Sequence, residues 1–104
     1  MYIYSVTVNI EKNVEKEWLD WMRNTHIPAV LNTKKFNKAL MSQVMIEEEM
    51  GGVTYSVQYT CNSKETLQAY HQENADALRQ ETERKFAGKY VAFRTELQII
   101  QEFK

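Results

Sequence analysis

The chain has 104 residues, of which 43% are hydrophobic and 26% are charged, and its formal net charge at pH 7 is -1. This composition is typical of a globular protein with one core and excludes wholesale disorder. The near balance of 13 basic and 14 acidic residues excludes a general attraction for nucleic acid or for an anionic membrane. We therefore expect a single domain, residues 1–104, without a nucleic-acid partner.

The cysteine content and the N-terminus indicate a compartment. Cys61 is the only cysteine, so no intrachain disulfide can form, and a reducing cytoplasm is the natural location. The first ten residues, MYIYSVTVNI, lack the features of a signal peptide, and no apolar run approaches the roughly 20 residues needed to span a bilayer. We expect a cytoplasmic protein with no membrane contact.

The first two elements are a strand and a helix. Residues 2–10 alternate between two faces, one of which carries Tyr2, Tyr4, Val6, Val8 and Ile10. Asn13 can cap a helix that starts near Val14 and continues past Met22. At about 100° per residue, one arc of this helix would face the sheet with Val14, Trp18, Trp21, Met22, Thr25, His26 and Ala29. Pro28 should break or kink the helix around residues 25–27.

The second half of the chain repeats this arrangement. Residues 38–46 and 53–61 are predicted strands, joined by a hairpin turn at Met50, Gly51 and Gly52. Asn62 or Ser63 can cap a long helix over residues 64–86, which ends before Gly88. The last strand carries Val91, Phe93, Thr95, Leu97 and Ile99 on one face. The order β-α-β-β-α-β predicts an α+β, ferredoxin-like fold: a four-stranded antiparallel sheet with both helices on one face.

The opposite face of the sheet is expected to be semi-polar. It would carry Ser5, Thr7, Asn9, Thr54, Ser56, Gln58, Thr60, Arg94, Glu96 and Gln98, mixed with Ile3, Met41, Met45 and Ile100. Two such faces could pack across a two-fold axis into a dimeric α+β barrel that also protects edge strands. We therefore expect a homodimer.

His26 admits three interpretations. It could be structural, bonded to a backbone carbonyl that the proline break exposes, while Trp18 and Trp21 fill the interface between helix and sheet. It could instead be a neutral general base in an aromatic pocket. A metal site with His71 and Glu81 is a third alternative, although the spacing matches no compact ligand motif. We expect no bound metal or cofactor.

Three stretches of the sequence carry a family resemblance: YSVTVNIEKNVEKEWLDWMRNTHIPAVLNTKKF, EEEMGGVTYSVQYT and RKFAGKYVAFRTEL. Together they resemble the bacterial domain-of-unknown-function family 4286 over nearly the whole chain. That family is similar to the dimeric α+β barrel superfamily, which includes cofactor-independent monooxygenases, haem-degrading proteins and small isomerases or decarboxylases. The resemblance implies the fold and the dimer but no activity. The segment His26–Ile27–Pro28 also resembles the site of a histidine near the end of the first helix in some of those enzymes.

Two functional hypotheses remain. In the first, the protein is a non-enzymatic module that binds a ligand or a partner. Alternatively, it is a cofactor-independent, monooxygenase- or isomerase-like enzyme in which His26 is the general base and Arg94 stabilises anionic charge. In that hypothesis Trp18, Trp21, Tyr4 and Tyr55 enclose a small, partly aromatic molecule. An open cavity beside His26 would favour a pocket, whereas filled space would favour a structural role.

Overall fold

The computed structural model describes residues 1–46 and 51–104. Four strands form one sheet: β1 (Tyr2–Ile10), β2 (Lys38–Gln43), β3 (Val53–Cys61) and β4 (Tyr90–Gln98). Between β1 and β2 lie a 3-10 turn (Lys12–Val14), α1 (Glu15–Trp21), a π-helical segment (Met22–His26) and α2 (Ile27–Asn32). Between β3 and β4 lie α3 (Lys64–Glu73) and α4 (Ala75–Phe86). None of these helices is long and apolar enough to cross a membrane.

The sheet has the strand order β2-β3-β1-β4, and every neighbouring pair is antiparallel. The predicted four-stranded antiparallel sheet is therefore confirmed. β1 pairs along its whole length with β3 on one side and with β4 on the other. Tyr4, Val8 and Ile10 of β1 are buried, as are Tyr55 and Val57 of β3, because these residues face the helices. The alternation in both inner strands was predicted correctly.

The predicted orientation of β4 is wrong. Val6 pairs with Arg94 and Tyr4 pairs with Glu96, and paired residues in a ladder share a face. Arg94 and Glu96 therefore lie on the helix side together with Gln98 and Ala92, whereas Val91, Phe93 and Leu97 lie on the open face. Phe93 is 68% exposed there. The alternation of residues indicates that two faces exist, but only the register with β1 decides which face meets the helices.

The second strand is also shorter and differently oriented than predicted. β2 ends at Gln43, and Met41 pairs with Val57 and so lies on the helix side rather than on the open face. Leu40 takes the open face, where it is 61% exposed. Met45 and Ile100, which were expected on that face, lie beyond the ends of β2 and β4. Met50, predicted in the hairpin turn, lies outside the described residues, while Gly51 and Gly52 both have φ near +82°.

The first helical region is distorted close to the predicted break or kink, but it is not interrupted there. Instead of a break, the helix widens to a π-helical segment in which the backbone N–H of Ile27 donates to the carbonyl of Met22. It then continues through Pro28 as α2. The predicted cap at Asn13 is wrong, because Asn13 lies in the 3-10 turn and Val14 precedes α1.

The widened turn changes which residue faces the core after it. A regular helix would align Ala29 with Trp18, since eleven residues at about 100° each return to nearly the same direction. The π-helical segment takes up one additional residue, so the inward position moves to Val30. Val30 and Trp18 are each 1% exposed, and Ala29 is only partly buried.

The second helical region was predicted as one helix and is divided in two. Asn74, with φ -126°, separates α3 from α4. Ser63 is the cap of α3, because its side chain accepts a hydrogen bond from the backbone N–H of Thr66. Gly88 follows α4 with φ +74°, which confirms the predicted left-handed position at the end of the helix.

Candidate functional site

A cavity of about 50 Å³ lies between the sheet and the helices. This is several times the roughly 10–15 Å³ needed to hold one water molecule on the same measure. Half-buried Thr82 and Tyr90 and exposed Arg94 belong to its wall, so the cavity reaches the surface there. The lining residues are Tyr4, Val6, Val8, Trp18, Met22, His26, Val30, Val57, Tyr59, Tyr70, Leu78, Arg79, Thr82, Tyr90, Ala92 and Arg94.

His26 is the last residue of the π-helical segment, and its side chain lines this cavity. The imidazole stacks on the indole of Trp21, with ring centroids 4.8 Å apart. Its Nδ1 atom is buried and has no hydrogen-bond partner within residues 1–46 and 51–104. The predicted bond to a backbone carbonyl is therefore not formed at Nδ1.

The protonation of His26 follows from this environment. Burial and, to a smaller extent, the nearby positive charge of Arg94 together lower the pKa of the imidazole to about 4. The ring is therefore neutral at pH 7. A neutral imidazole has one N–H donor and one acceptor nitrogen, so His26 brings both kinds of hydrogen-bonding group to the site.

Tyr4 connects the cavity to a group of aromatic rings. Its hydroxyl accepts a hydrogen bond of 3.0 Å from Nη2 of Arg79 on α4. Its ring lies 5.6 Å from that of Tyr70 and 6.1 Å from that of Tyr59. Burial raises the pKa of Tyr70 to about 12 and raises that of Tyr59 as well, so these phenols keep their protons. Their hydroxyls are hydrogen-bonding groups rather than charges.

Arg94 enters the site because of the register of β4. It shares the helix-facing side with Val6, the residue paired with it on β1. Glu96 is on the same side of β4, but its Oε2 lies 2.6 Å from Nε2 of His71 on α3. His71 also meets the ring of Tyr4 edge-on. The nearest carboxylate on the strand is thus engaged by His71, and Arg94 forms no salt bridge with any described residue.

Two of the predicted pocket residues, Trp21 and Tyr55, do not line the cavity but contact residues that do. Trp21 is placed between His26 and Phe86, whose ring it meets edge-on at 5.4 Å. The hydroxyl of Tyr55 donates to the carboxylate of Glu15, and its ring lies 5.2 Å from the ring of Trp18. The cavity is lined by four of the predicted site residues: His26, Trp18, Tyr4 and Arg94. Trp21 packs against His26, and Tyr55 packs against Trp18.

Sequence reasoning missed several lining residues. Arg79 and Thr82 are on α4, and Tyr59, Tyr70 and Tyr90 complete the hydroxyl-bearing lining. The tyrosines were recognisable only as core residues. For Arg79, the available signal was its place next to Leu78 on the inward arc of the second helix. An arginine on a helix is usually expected to be exposed to solvent, so the sequence alone does not identify Arg79 as a lining residue.

The alternatives to an organic ligand find little support in the geometry. Within the part of the chain that the structure describes, no three His, Cys, Asp or Glu side chains are grouped as metal ligands. Cys61 is fully buried, and its thiol donates to the carbonyl of Ser63. Burial also raises the pKa of that thiol, so it is not an activated nucleophile.

Solved structures share this fold at low sequence identity. A dimeric ferredoxin-like protein from an uncultured marine organism has a TM-score of 0.77 and 11% identity, covering 98% of this chain and 97% of its own. An ethyl tert-butyl ether d (EthD) family protein from Bacillus halodurans has a TM-score of 0.64 and 16% identity, covering 96% of this chain and 100% of its own. SnoaB, a cofactor-independent oxygenase from Streptomyces nogalater, has a TM-score of 0.65 and 8% identity, covering 97% and 95%.

These likenesses establish the ferredoxin-like fold alone. No protein of curated function matches the sequence significantly. A family model does match it, over residues 1–100, and thus includes all four strands, the helical regions and every residue that lines the cavity. The chain belongs to the family described as Domain of unknown function (DUF4286).

Proposed function

We propose that this protein is a homodimeric binding module that holds a small molecule in the cavity beside His26. The observation that carries the proposal is the open volume of about 50 Å³ next to a neutral imidazole with an unpaired, buried Nδ1. A buried polar atom without a partner costs free energy, and a ligand that bonds to it recovers that cost.

The character of the lining supports binding of an organic molecule. Most of the wall is apolar or aromatic, as in Val57, Trp18 and Met22, with a few polar groups directed at the same space. Small-molecule sites commonly have this composition, in which the apolar wall gives affinity and the polar groups fix orientation. In our proposal Tyr4 and Trp18 contact the ligand, while Trp21 and Tyr55 hold His26 and Trp18 in place.

The same residues support a second candidate, a cofactor-independent enzyme. A neutral imidazole beside Arg94 could take a proton from the ligand while the guanidinium stabilises the anion that forms. The oxygenase activity stated for SnoaB belongs to a protein with 8% identity and suggests only that the fold can host such chemistry. A pKa of about 4 makes His26 a weaker base than an ordinary histidine. We therefore place binding first.

The proposed binding site can be tested by filling the cavity with a larger side chain at Ala92. Ala92 lines the cavity, and Ala77 is an exposed residue of α4 outside it. In a fragment screen followed by the tryptophan indole N–H resonances in NMR spectra, we expect Ala92→Leu to abolish the shifts that hits cause. Ala77→Leu should bind as the parent does. Hits that persist in Ala92→Leu would contradict the site, and product formation in the parent would favour the enzyme.

We further propose that two copies pair through the open face of the sheet. Large apolar side chains are exposed on that face, namely Leu40, Val91, Phe93 and Leu97. Leu40 lies on the edge strand β2, and the other three lie together on the opposite edge strand β4. Exposed apolar side chains grouped as they are on β4 usually mark an interface. The marine neighbour with a TM-score of 0.77 is described as dimeric, which is consistent with this arrangement.

Sedimentation or light scattering tests the dimer. A charge placed among the exposed apolar residues of β4 must be desolvated on association, so Phe93→Lys should produce monomers at micromolar concentration. The control is Asp20→Lys, since Asp20 is exposed on α1 and remote from the open face. The control should remain dimeric. A parent chain that is monomeric throughout the micromolar range would contradict the dimer.

A further inference from the structure

The charged groups of the cavity all have the same sign. Arg79 and Arg94 are the only charged residues among the described lining residues, and no aspartate or glutamate joins them. Neither arginine forms a salt bridge with a described side chain. Asp76, one turn before Arg79 on α4, is exposed and also stays unpaired with it. Two guanidinium groups therefore contribute positive charge to a largely apolar space.

One hydrogen-bond donor of Arg79 has no acceptor among the described residues. Its Nη2 donates to the hydroxyl of Tyr4, but its Nε is buried and has no partner among the described residues. A guanidinium carries only donors, so an unpaired buried Nε requires an acceptor. Neutral His26 and the hydroxyl groups of the lining can each donate and accept, whereas the two guanidinium groups can only donate. The charged groups of the cavity are therefore all hydrogen-bond donors.

The carboxylate that could neutralise Arg94 from the same strand is bound to another residue. Glu96 shares a face of β4 with Arg94 and would be the natural local counter-charge. It is bound instead to His71, with 2.6 Å between Nε2 and Oε2. Arg94 therefore keeps its charge available to the cavity that it lines.

We propose that the ligand is a small carboxylate whose charge is received by Arg79 and Arg94 and whose apolar part lies against Trp18 and Val57. This inference rests on the proposed binding function and specifies its ligand class. A carboxylate has acceptor oxygens only, and it accepts in pairs from the planar guanidinium fork. The limited volume selects a short apolar part, with the charged end towards the open side at exposed Arg94.

The test compares acids with amides of the same shape. We choose benzoate with benzamide and butyrate with butyramide, because each pair differs in charge but hardly in size. The readout is the titration of the indole N–H resonances of Trp18 and Trp21, assigned with single Trp→Phe variants. Both acids should bind at least tenfold more tightly than their amides, since a charge-assisted pair of hydrogen bonds exceeds a neutral one.

Two variants locate the effect. Arg94→Gln and Arg79→Gln should each weaken benzoate binding by about tenfold and leave benzamide binding within about twofold of the parent. Arg84→Gln is the matched control, because Arg84 is exposed on α4 and lies outside the lining. It should change neither affinity. Loss of benzoate binding in this control would attribute the effect to overall charge and overturn the proposal.

The outcomes separate this inference from the proposed function. Equal binding of acids and amides would overturn the carboxylate preference while the binding site stands. Tighter binding of inorganic phosphate than of either acid would also overturn it, since phosphate has no apolar part. Absence of binding by all four probes, together with an empty fragment screen, would overturn both.

Discussion

The imidazole of His26 lies almost flat on the indole of Trp21, with ring centroids 4.8 Å apart and ring planes 27° from parallel. The stack fixes the orientation of a ring whose Nδ1 is buried without a partner. Because aromatic carbon covers one face of the ring, a positive charge on His26 would be poorly solvated. Two consequences for stability can be measured.

The first consequence is a dependence of stability on pH. The pKa of His26 is about 4 in the folded chain against 6.5 for an ordinary histidine, so the unfolded chain binds more protons between these values. The free energy of unfolding should therefore fall as the pH drops below 6.5, and this contribution should level off near pH 4. We expect a loss on the order of 1 to 3 kcal/mol from this residue.

Urea unfolding of the parent and of His26→Gln from pH 7 to pH 4 isolates this contribution. The two chains differ only at position 26, so the difference between the two curves reports His26. The parent should lose more stability than His26→Gln as the pH falls. Parallel curves would mean that the folded chain does not disfavour the imidazolium.

The second consequence is that a carbon ring at position 26 should stabilise the protein. His26→Phe keeps an aromatic ring for Trp21 and removes the unpaired buried nitrogen, so the free energy of unfolding at pH 7 should rise by about 1 kcal/mol. His71→Phe serves as the comparison, because it removes the contact with Glu96 and should bring no gain. A loss of stability in His26→Phe would show that the nitrogen has a partner.

Gly52 should tolerate a side chain less well than its neighbour Gly51. Both have φ of +82°, but a Cβ at Gly52 would lie 2.5 Å from Oδ1 of Asn9, whereas one at Gly51 meets no described atom within 4 Å. Gly51→Ala should cost about 1 kcal/mol from backbone strain alone. Gly52→Ala should cost about 2 to 3 kcal/mol, since the amide of Asn9 must also move. Thermal and urea unfolding measure the difference, and equal losses would contradict the close approach.

Ser63 should contribute to stability as the cap of α3. Its side chain accepts from the N–H of Thr66, which has no partner within the helix at that end. Ser63→Ala should lower the free energy of unfolding by about 1 kcal/mol, and Ser63→Asp should restore most of it because aspartate also caps. Urea denaturation of the three chains checks this order. Equal stability of the alanine and aspartate variants would argue against capping.

The strands illustrate which parts of the fold the sequence predicts. In β1 and β3 the large apolar residues alternate with small polar ones, so the face of Tyr4 and Val57 was identifiable. In β4 the apolar side of Val91 and Phe93 was assigned to the helices, although it faces outwards. Period-2 alternation gives the faces of a strand but does not say what covers each face.

The site was predictable to a similar degree. The local pattern around Trp18 and His26 indicated an aromatic helix face near a proline, and both residues do line the cavity. Arg79 was missed because its role depends on a contact with Tyr4, 75 positions away in the chain. No local pattern encodes that distance, and a charged helical residue is usually solvated.

The widened turn before Pro28 makes the first helical region equivalent to a straight helix that carries a one-residue insertion. Deleting Thr25 would therefore leave the direction of Val30 relative to Trp18 unchanged, since the eleven remaining steps of about 100° complete three turns to within about 20°. The same deletion would place Pro28 inside a regular helix, where its ring collides with the carbonyl four residues earlier. The additional residue and the proline thus form a compensating pair, and a shortened chain should fold well only when Pro28 is replaced in the same molecule.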